Sequence, residues 1–127
     1  MFRRNIISKL EDWKQDKKHK PLILRGARQV GKTTVVNEFG SQFDNYLYFN
    51  LERNENAKLF EMEIPLDDLV NMLYASVGKV KKEGTTLVFI DEIQNSPKTI
   101  ALLRYFYEQR PDLYVIAAGS LLENLVD

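Results

Sequence analysis

The chain has 127 residues, of which 44% are hydrophobic and 28% are charged, and its formal net charge is zero. These values are ordinary for one soluble globular domain with a single core. The absence of cysteine excludes a disulfide framework and thiolate metal sites. No apolar run approaches the roughly 20 residues needed to cross a bilayer, and the first residues lack the features of a signal peptide. We therefore expect a cytoplasmic protein that does not contact a membrane.

The zero net charge hides an uneven distribution. Residues 1–36 contain ten Lys or Arg and three acids, a balance of +7, whereas residues 37–75 contain two and eight, a balance of −6. The basic third could contact nucleic acid, but part of its charge lies in a glycine-containing loop and "KQDKKHK" is typical of a solvated helix end. His19 has no partner at ligand spacing, so we do not expect it to catalyse or to bind a metal.

Periodicity alternates between helix and strand along the first half of the chain. Apolar residues at helical spacing predict a helix from Asn5 to about Asp16, and "LILR" then reads as a short strand buried on both faces. A helix is predicted from the second glycine of "GARQVGKTT" to near Gly40. "YLYFNL" at 46–51 is β-prone, and the polar run "ERNENAK" predicts a surface loop.

The second half repeats the alternation. A helix is predicted from Leu66 to Val77, an apolar strand at "TTLVFIDE", a helix opening at Pro97 and a third apolar strand at "LYVIAAGS". This order predicts an α/β fold, in which a mostly parallel sheet has helices on both faces in three layers. We found no internal repeat or interdomain linker, so residues 1–127 are interpreted as one domain.

The loop "GARQVGKTT" matches the pattern G-x-x-x-x-G-K-[ST] of the phosphate-binding Walker A loop. In that pattern backbone N–H groups and the positive end of the following helix surround phosphate oxygens, the lysine reaches the β and γ phosphates, and the Thr33 hydroxyl ligates magnesium. The alternative is an ordinary glycine turn with a surface lysine. The expected nucleotide-binding residues of this loop are Gly26, Ala27, Arg28, Gln29, Val30, Gly31, Lys32, Thr33 and Thr34, with Lys32 also catalytic.

Two adjacent carboxylates end the strand "LVFIDE". Ligands of open α/β sheets bind at the carboxyl ends of the strands, where Asp91 and Glu92 are expected. Asp91 fits the Walker B acid that holds magnesium, and Glu92 fits the base that polarises the attacking water in ATP hydrolysis. The alternative is that both carboxylates only cap the turn that follows.

The segments "LRGARQVGKTT", "LVFIDEIQ" and "VIAAGSLLE", in this order, resemble the AAA-type P-loop ATPases of bacteria and archaea. More narrowly, they resemble a branch in which the ATPase core is followed by a C-terminal domain suspected to be nuclease-like. The resemblance implies that the "LYVIAAGS" strand lies between the other two motif strands. It also implies that a polar residue at the end of that strand senses the γ phosphate, for which Ser120 is the nearest match and Asn124 a weaker one.

The resemblance also implies parts that this sequence does not contain. The family's fifth core strand, its distal arginine elements and its C-terminal domain would follow residue 127, so we interpret the chain as the N-terminal portion of such a protein. We expect this portion to be marginally stable, to self-associate through an unpaired strand edge and to show little ATPase activity. Arginines that could act on nucleotide are Arg25, Arg28, Arg53, Arg104 and Arg110, of which the last two are more typically salt-bridged on a helix surface.

The leading hypothesis is an ATP-binding domain that hydrolyses ATP with magnesium and couples turnover to conformational change in a C-terminal or partner domain. The alternative is a signalling or scaffold module that binds ATP and turns over rarely. A small-molecule kinase is disfavoured because Glu92 beside Asp91 suits water activation. ATP rather than GTP follows from the resemblance and from the absence of an "NKxD"-like guanine motif.

Overall fold

The computed structural model describes residues 2–25 and 31–119, which form a four-stranded sheet covered by helices. The elements in chain order are α1 (Phe2–Gln15), β1 (Leu22–Leu24), α2 (Lys32–Gly40), β2 (Asn45–Asn50), α3 (Asn54–Glu61), α4 (Leu66–Ser76), β3 (Thr86–Asp91), a 3-10 turn (Ile93–Asn95), α5 (Pro97–Gln109) and β4 (Tyr114–Ala118). No helix within these ranges combines the length and the apolar character needed to span a membrane.

The sheet has the order β1-β4-β3-β2, and every pairing is parallel. The predicted α/β class is therefore confirmed, and so is the position of β4 between the two motif strands. All six residues of β3 are buried because this strand is central and has helices on both faces. β1 was expected to be buried on both faces, but it is half-buried along its length, since it lies at an edge of the described sheet.

The two faces of the sheet have separate apolar cores. On one face, α1 and α2 contribute Leu10, Val36 and Phe39, which cluster with Phe89 of β3 and Ile116 of β4. The other core contains buried residues of α3, α4 and α5 together with the alternate residues of β2, β3 and β4. Because side chains alternate across a strand, one apolar strand supplies both cores. The predicted three-layer arrangement is therefore confirmed.

The prediction of a surface loop at "ERNENAK" is wrong, because most of this segment belongs to α3. Its polar residues form the exposed side of the helix, and the apolar residues that anchor it come only at its end. Phe60 is fully buried and contacts Phe49 of β2 edge-to-face, with ring centroids 5.5 Å apart. The segment is helical because tertiary packing of Leu59 and Phe60 against the sheet outweighs a weak local pattern.

Gly40, the last residue of α2, permits close packing against β2. An added Cβ would lie 2.7 Å from Cγ and Cδ1 of Tyr46, whose hydroxyl donates to Asn37 Oδ1. The ring is thus restrained at both ends, by the helix backbone and by a side chain of the same helix.

We expect Gly40→Ala to lower the free energy of unfolding by about 1–2 kcal/mol. Overpacking costs about 1–3 kcal/mol, which exceeds the gain in helix propensity of about 1 kcal/mol. Urea denaturation measures the change, and Ser41→Ala is the neighbouring control, expected to stay within about 0.5 kcal/mol of wild type. A Gly40→Ala variant as stable as the control would contradict the packing argument.

Candidate nucleotide site

The site lies at the carboxyl edge of the sheet, where β1, β4 and β3 end. β1 leads towards the loop at 26–30 and α2 begins at Lys32, while β3 ends at Asp91. Of the predicted site residues, Gly26, Ala27, Arg28, Gln29, Val30 and Ser120 lie outside the described residues, as does Asn124. The geometry below therefore concerns the end of the loop, the start of α2 and the residues that follow β3.

Gly31 directly precedes α2 and has a backbone conformation that favours glycine. Its φ of 93° is in the left-handed region, where a side chain would strain the backbone. Its carbonyl oxygen accepts from Val35 N at 2.8 Å, which starts the helical ladder. The second glycine of the sequence pattern is thus required by the turn from loop into helix.

The start of α2 suits an anion. Lys32 is the first helical residue, and the first turn contains no acidic side chain. The backbone N–H groups at a helix start and the helix dipole both favour negative charge at that end. Lys32, Thr33 and Thr34 are therefore placed on the turn that a phosphate would approach.

Thr33 and Asp91 are joined directly although 58 residues separate them. The Thr33 hydroxyl, in the first turn of α2, donates to Asp91 Oδ2 at 2.9 Å. Asp91 ends β3, and β4 lies between β3 and β1 in the sheet. β4 ends in the small residues Ala117 and Ala118, and Gly119 follows directly. The structure therefore brings together the two residues that the sequence assigned to magnesium.

Asp91 is buried and accepts hydrogen bonds on both carboxylate oxygens. Besides Thr33, Tyr48 donates its hydroxyl to Oδ2 at 3.0 Å, and Glu92 N donates to Oδ1 at 3.0 Å. The side chain is 8% exposed, and a buried carboxylate needs such donors because it has lost water. Asp91 is consequently held in a defined orientation.

Tyr48 belongs to the site, and the sequence analysis missed it. It lies on β2, beside Phe89 of β3 in the parallel register, and the alternation of β2 aims it away from Leu47 and Phe49. Burial, with the negative charge of Asp91 and the hydrogen bond donated to it, raises the pKa of Tyr48 to about 12. Burial, with Tyr48 and Asp91 nearby, also raises the pKa of Tyr46. No motif marks Tyr48, and only the strand pairing reveals it.

Glu92 follows Asp91 in a left-handed backbone conformation, with φ 55° and ψ 42°. This region is uncommon for a residue other than glycine, and such strain clusters at functional sites. Its carboxylate Oε1 accepts from Gln94 Nε2 at 2.8 Å, and its carbonyl accepts from Asn95 N and Nδ2. Glu92 is thus fixed in both backbone and side chain beside Asp91.

Apart from Arg25, which directly follows β1, the remaining candidates of the described chain lie away from this edge or in ordinary ion pairs. Arg104 pairs with Glu108, and Arg110 with Asp67 and Asp112, which confirms that both are salt-bridged. Arg53 pairs with Glu55. His19 is buried, stacks on Tyr114 at 3.9 Å, and places its ring nitrogens 3.2 Å and 3.1 Å from the carbonyl oxygens of Asp16 and Leu113. Its position therefore joins the loop before β1 to the loop before β4.

A magnesium ion fits this donor set. Mg²⁺ in nucleotide sites takes one or two protein oxygens and completes its octahedron with water and phosphate oxygens. Thr33 and Asp91 offer a hydroxyl and a carboxylate in contact with each other. Within residues 2–25 and 31–119 no three His, Asp or Glu side chains cluster into an all-protein metal site. The arrangement is consistent with an ion shared with a phosphate ligand.

We expect Tyr48→Phe to change how the free energy of unfolding depends on pH above about pH 10. Folding raises the pKa of Tyr48 from 10.0 to about 12. The contribution of the protonated phenol to the free energy of unfolding is therefore fully present below about pH 10 and is lost as pH rises through about 12. The variant should lose less stability than wild type across this interval, and ultraviolet absorbance should show one fewer late-ionising phenol. Tyr105→Phe, at an exposed position on α5, is the control. If the free energy of unfolding falls equally in wild type and in Tyr48→Phe at alkaline pH, the raised pKa of Tyr48 is contradicted.

Comparison with known proteins agrees with this geometry. A family model described as "AAA domain" matches residues 18–127. The structure is similar to that of the Orc1 protein of Aeropyrum pernix, solved in complex with DNA, with a TM-score of 0.61 and 14% identity. The similarity covers 98% of this chain and 39% of the Orc1 chain. No curated protein sequence matches significantly.

The two comparisons support different statements. At 14% identity the Orc1 similarity shows the fold, which is that of a P-loop nucleoside triphosphatase. The family model covers most of the sequence, including the glycine-containing loop, Asp91, Glu92 and β4. The chain therefore belongs to the AAA family of P-loop ATPases.

Proposed function

We propose that this protein binds ATP at the carboxyl edge of its sheet and hydrolyses it to ADP and phosphate with magnesium. The observation that carries the proposal is the hydrogen bond from Thr33 to Asp91, because it unites the end of the phosphate loop with the end of β3. A turn-capping role for Asp91 would not require Thr33. Family membership supports nucleotide binding at the general level.

Each residue has a role that follows from its position. Lys32, at the start of α2, neutralises charge on the β and γ phosphates, and the helix start adds backbone N–H donors. Thr33 and Asp91 would hold magnesium, which would supply positive charge to the phosphates. Glu92, fixed next to Asp91, orients the attacking water and accepts its proton. Gly26 to Val30 complete the phosphate loop, and Ser120 is the proposed γ-phosphate sensor.

Turnover is proposed to drive conformational change in a C-terminal or partner domain. Residues 1–127 then form the N-terminal portion of the ATPase, and the chain corresponds to 39% of the Orc1 chain. Because that protein was solved with DNA and residues 1–36 of this chain carry +7, nucleic acid is the first partner to test. Single-turnover hydrolysis with and without DNA tests the coupling.

We expect Lys32→Ala to weaken ATP binding at least about tenfold without unfolding the protein, since a charge-assisted hydrogen bond contributes about 1.5–3 kcal/mol. Calorimetry measures affinity and circular dichroism checks folding. Lys79→Ala, in the exposed loop before β3 at the opposite edge of the sheet, is the matched control. Unchanged affinity in folded Lys32→Ala would rule out the phosphate-loop assignment.

A second pair of variants separates binding from chemistry. Glu92→Gln should keep MgATP affinity but lower turnover about 100-fold or more, the usual contribution of a general base. Asp91→Asn should instead remove the magnesium dependence of binding. Glu108→Gln, on the exposed side of α5, serves as the control. Equal turnover in wild type and Glu92→Gln would favour the alternative, a slow ATP-binding switch or scaffold module.

A further inference from the structure

Gln94, in the 3-10 turn after β3, contacts the side chain of Glu92. Its Nε2 donates to Glu92 Oε1 at 2.8 Å. A hydrogen bond to a carboxylate is shorter and stronger than one between neutral groups. Gln94 is therefore placed to fix the direction in which the Glu92 carboxylate points.

The other end of the same amide has no hydrogen bond. Gln94 Oε1 is buried, and the part of the chain that the structure describes offers it no donor. Reversing the amide would place this oxygen against the Glu92 carboxylate, which is repulsive, so Glu92 sets the orientation. A buried acceptor without a donor is unfavourable and uncommon in native proteins. Its presence indicates that the hydrogen bond from Nε2 to Glu92 stabilises this orientation by more than the unpaired Oε1 destabilises it.

Gly119, directly after β4, provides the space for this amide. An added Cβ would lie 2.3 Å from Gln94 Oε1 and 3.4 Å from Gln94 N. The nearest obstacle is the end of a flexible side chain, so the amide and not the backbone would move. Any larger residue at this position would push Gln94 away from Glu92.

We propose that Gln94 is a positioning residue for Glu92 and that Gly119 keeps its amide in place. Three segments then act as one unit: the end of β3, the 3-10 turn and the end of β4. Gln94 acts through Glu92 and need not touch nucleotide. This inference rests on the proposed hydrolysis of ATP, in which Glu92 orients the water.

The kinetic test compares Gln94→Leu with Gly119→Ala in the full chain. Each should lower kcat about 10- to 100-fold, because small displacement of a catalytic group has effects of this size, while ATP affinity stays within about twofold. The two changes together should lower kcat no more than either alone, since they break one contact. Neither should lower kcat further in Glu92→Gln. Gln109→Leu, at the exposed end of α5, is the control and should match wild type.

A third variant has a readout that lost packing would not produce. Gln94→Glu keeps the shape but removes the Nε2 donor and places a second carboxylate beside Glu92, so kcat should fall as in Gln94→Leu although the space stays filled. In wild type, the side-chain amide resonances of Gln94 should differ from those in Glu92→Gln, because a neutral amide then replaces the carboxylate that Nε2 contacts. Gly119→Ala should change the same resonances.

The outcomes distinguish this inference from the proposed function. If Glu92→Gln loses turnover but Gln94→Leu keeps or exceeds wild-type kcat, the positioning role is wrong and hydrolysis stands. Side-chain amide resonances of Gln94 that are the same in wild type and in Glu92→Gln also overturn the inference. If Glu92→Gln turns over like wild type, the role of Glu92 fails and the role of Gln94 fails with it.

Discussion

The hydrogen bond between Thr33 and Asp91 is the contact on which the site depends. It requires two conditions: motif strands β1 and β3 whose carboxyl ends meet at one edge of the sheet, and a helix that begins at that edge. Reversing either β1 or β3 alone would send their carboxyl ends to opposite edges. The order β1-β4-β3-β2 is therefore the structural reason that a loop near residue 30 and an acid at 91 can share one ligand.

Burial of Asp91 explains much of the surrounding polar structure. A carboxylate removed from water needs donors, and Thr33, Tyr48 and the Glu92 backbone supply them. Burial of Tyr48, together with its contact with Asp91, favours the protonated phenol and so raises its pKa. A preorganised carboxylate needs little rearrangement when a cation binds.

The helical layers give this edge its rigidity. α2 is held by Val36 and Phe39 in one core, while α3, α4 and α5 cover the other face. The fold agrees with that of Orc1 at 14% identity, because apolar periodicity and glycine placement determine it more than particular residues do. The candidate site residues thus lie at or beyond the strand ends, and apolar side chains fill the strand interiors.

The sequence by itself determined most of the alternation of helices and strands, the glycine before α2 and the acid at the end of β3. These are local patterns: Gly31 needs its left-handed backbone and β3 its unbroken apolar run. Only the tertiary structure decided that α3 is a helix, because Phe60 finds its partner Phe49 on another element. It likewise decided the contacts of Tyr48 and Gln94, since one depends on strand pairing and the other on the space left by Gly119, neither of which is encoded in neighbouring residues.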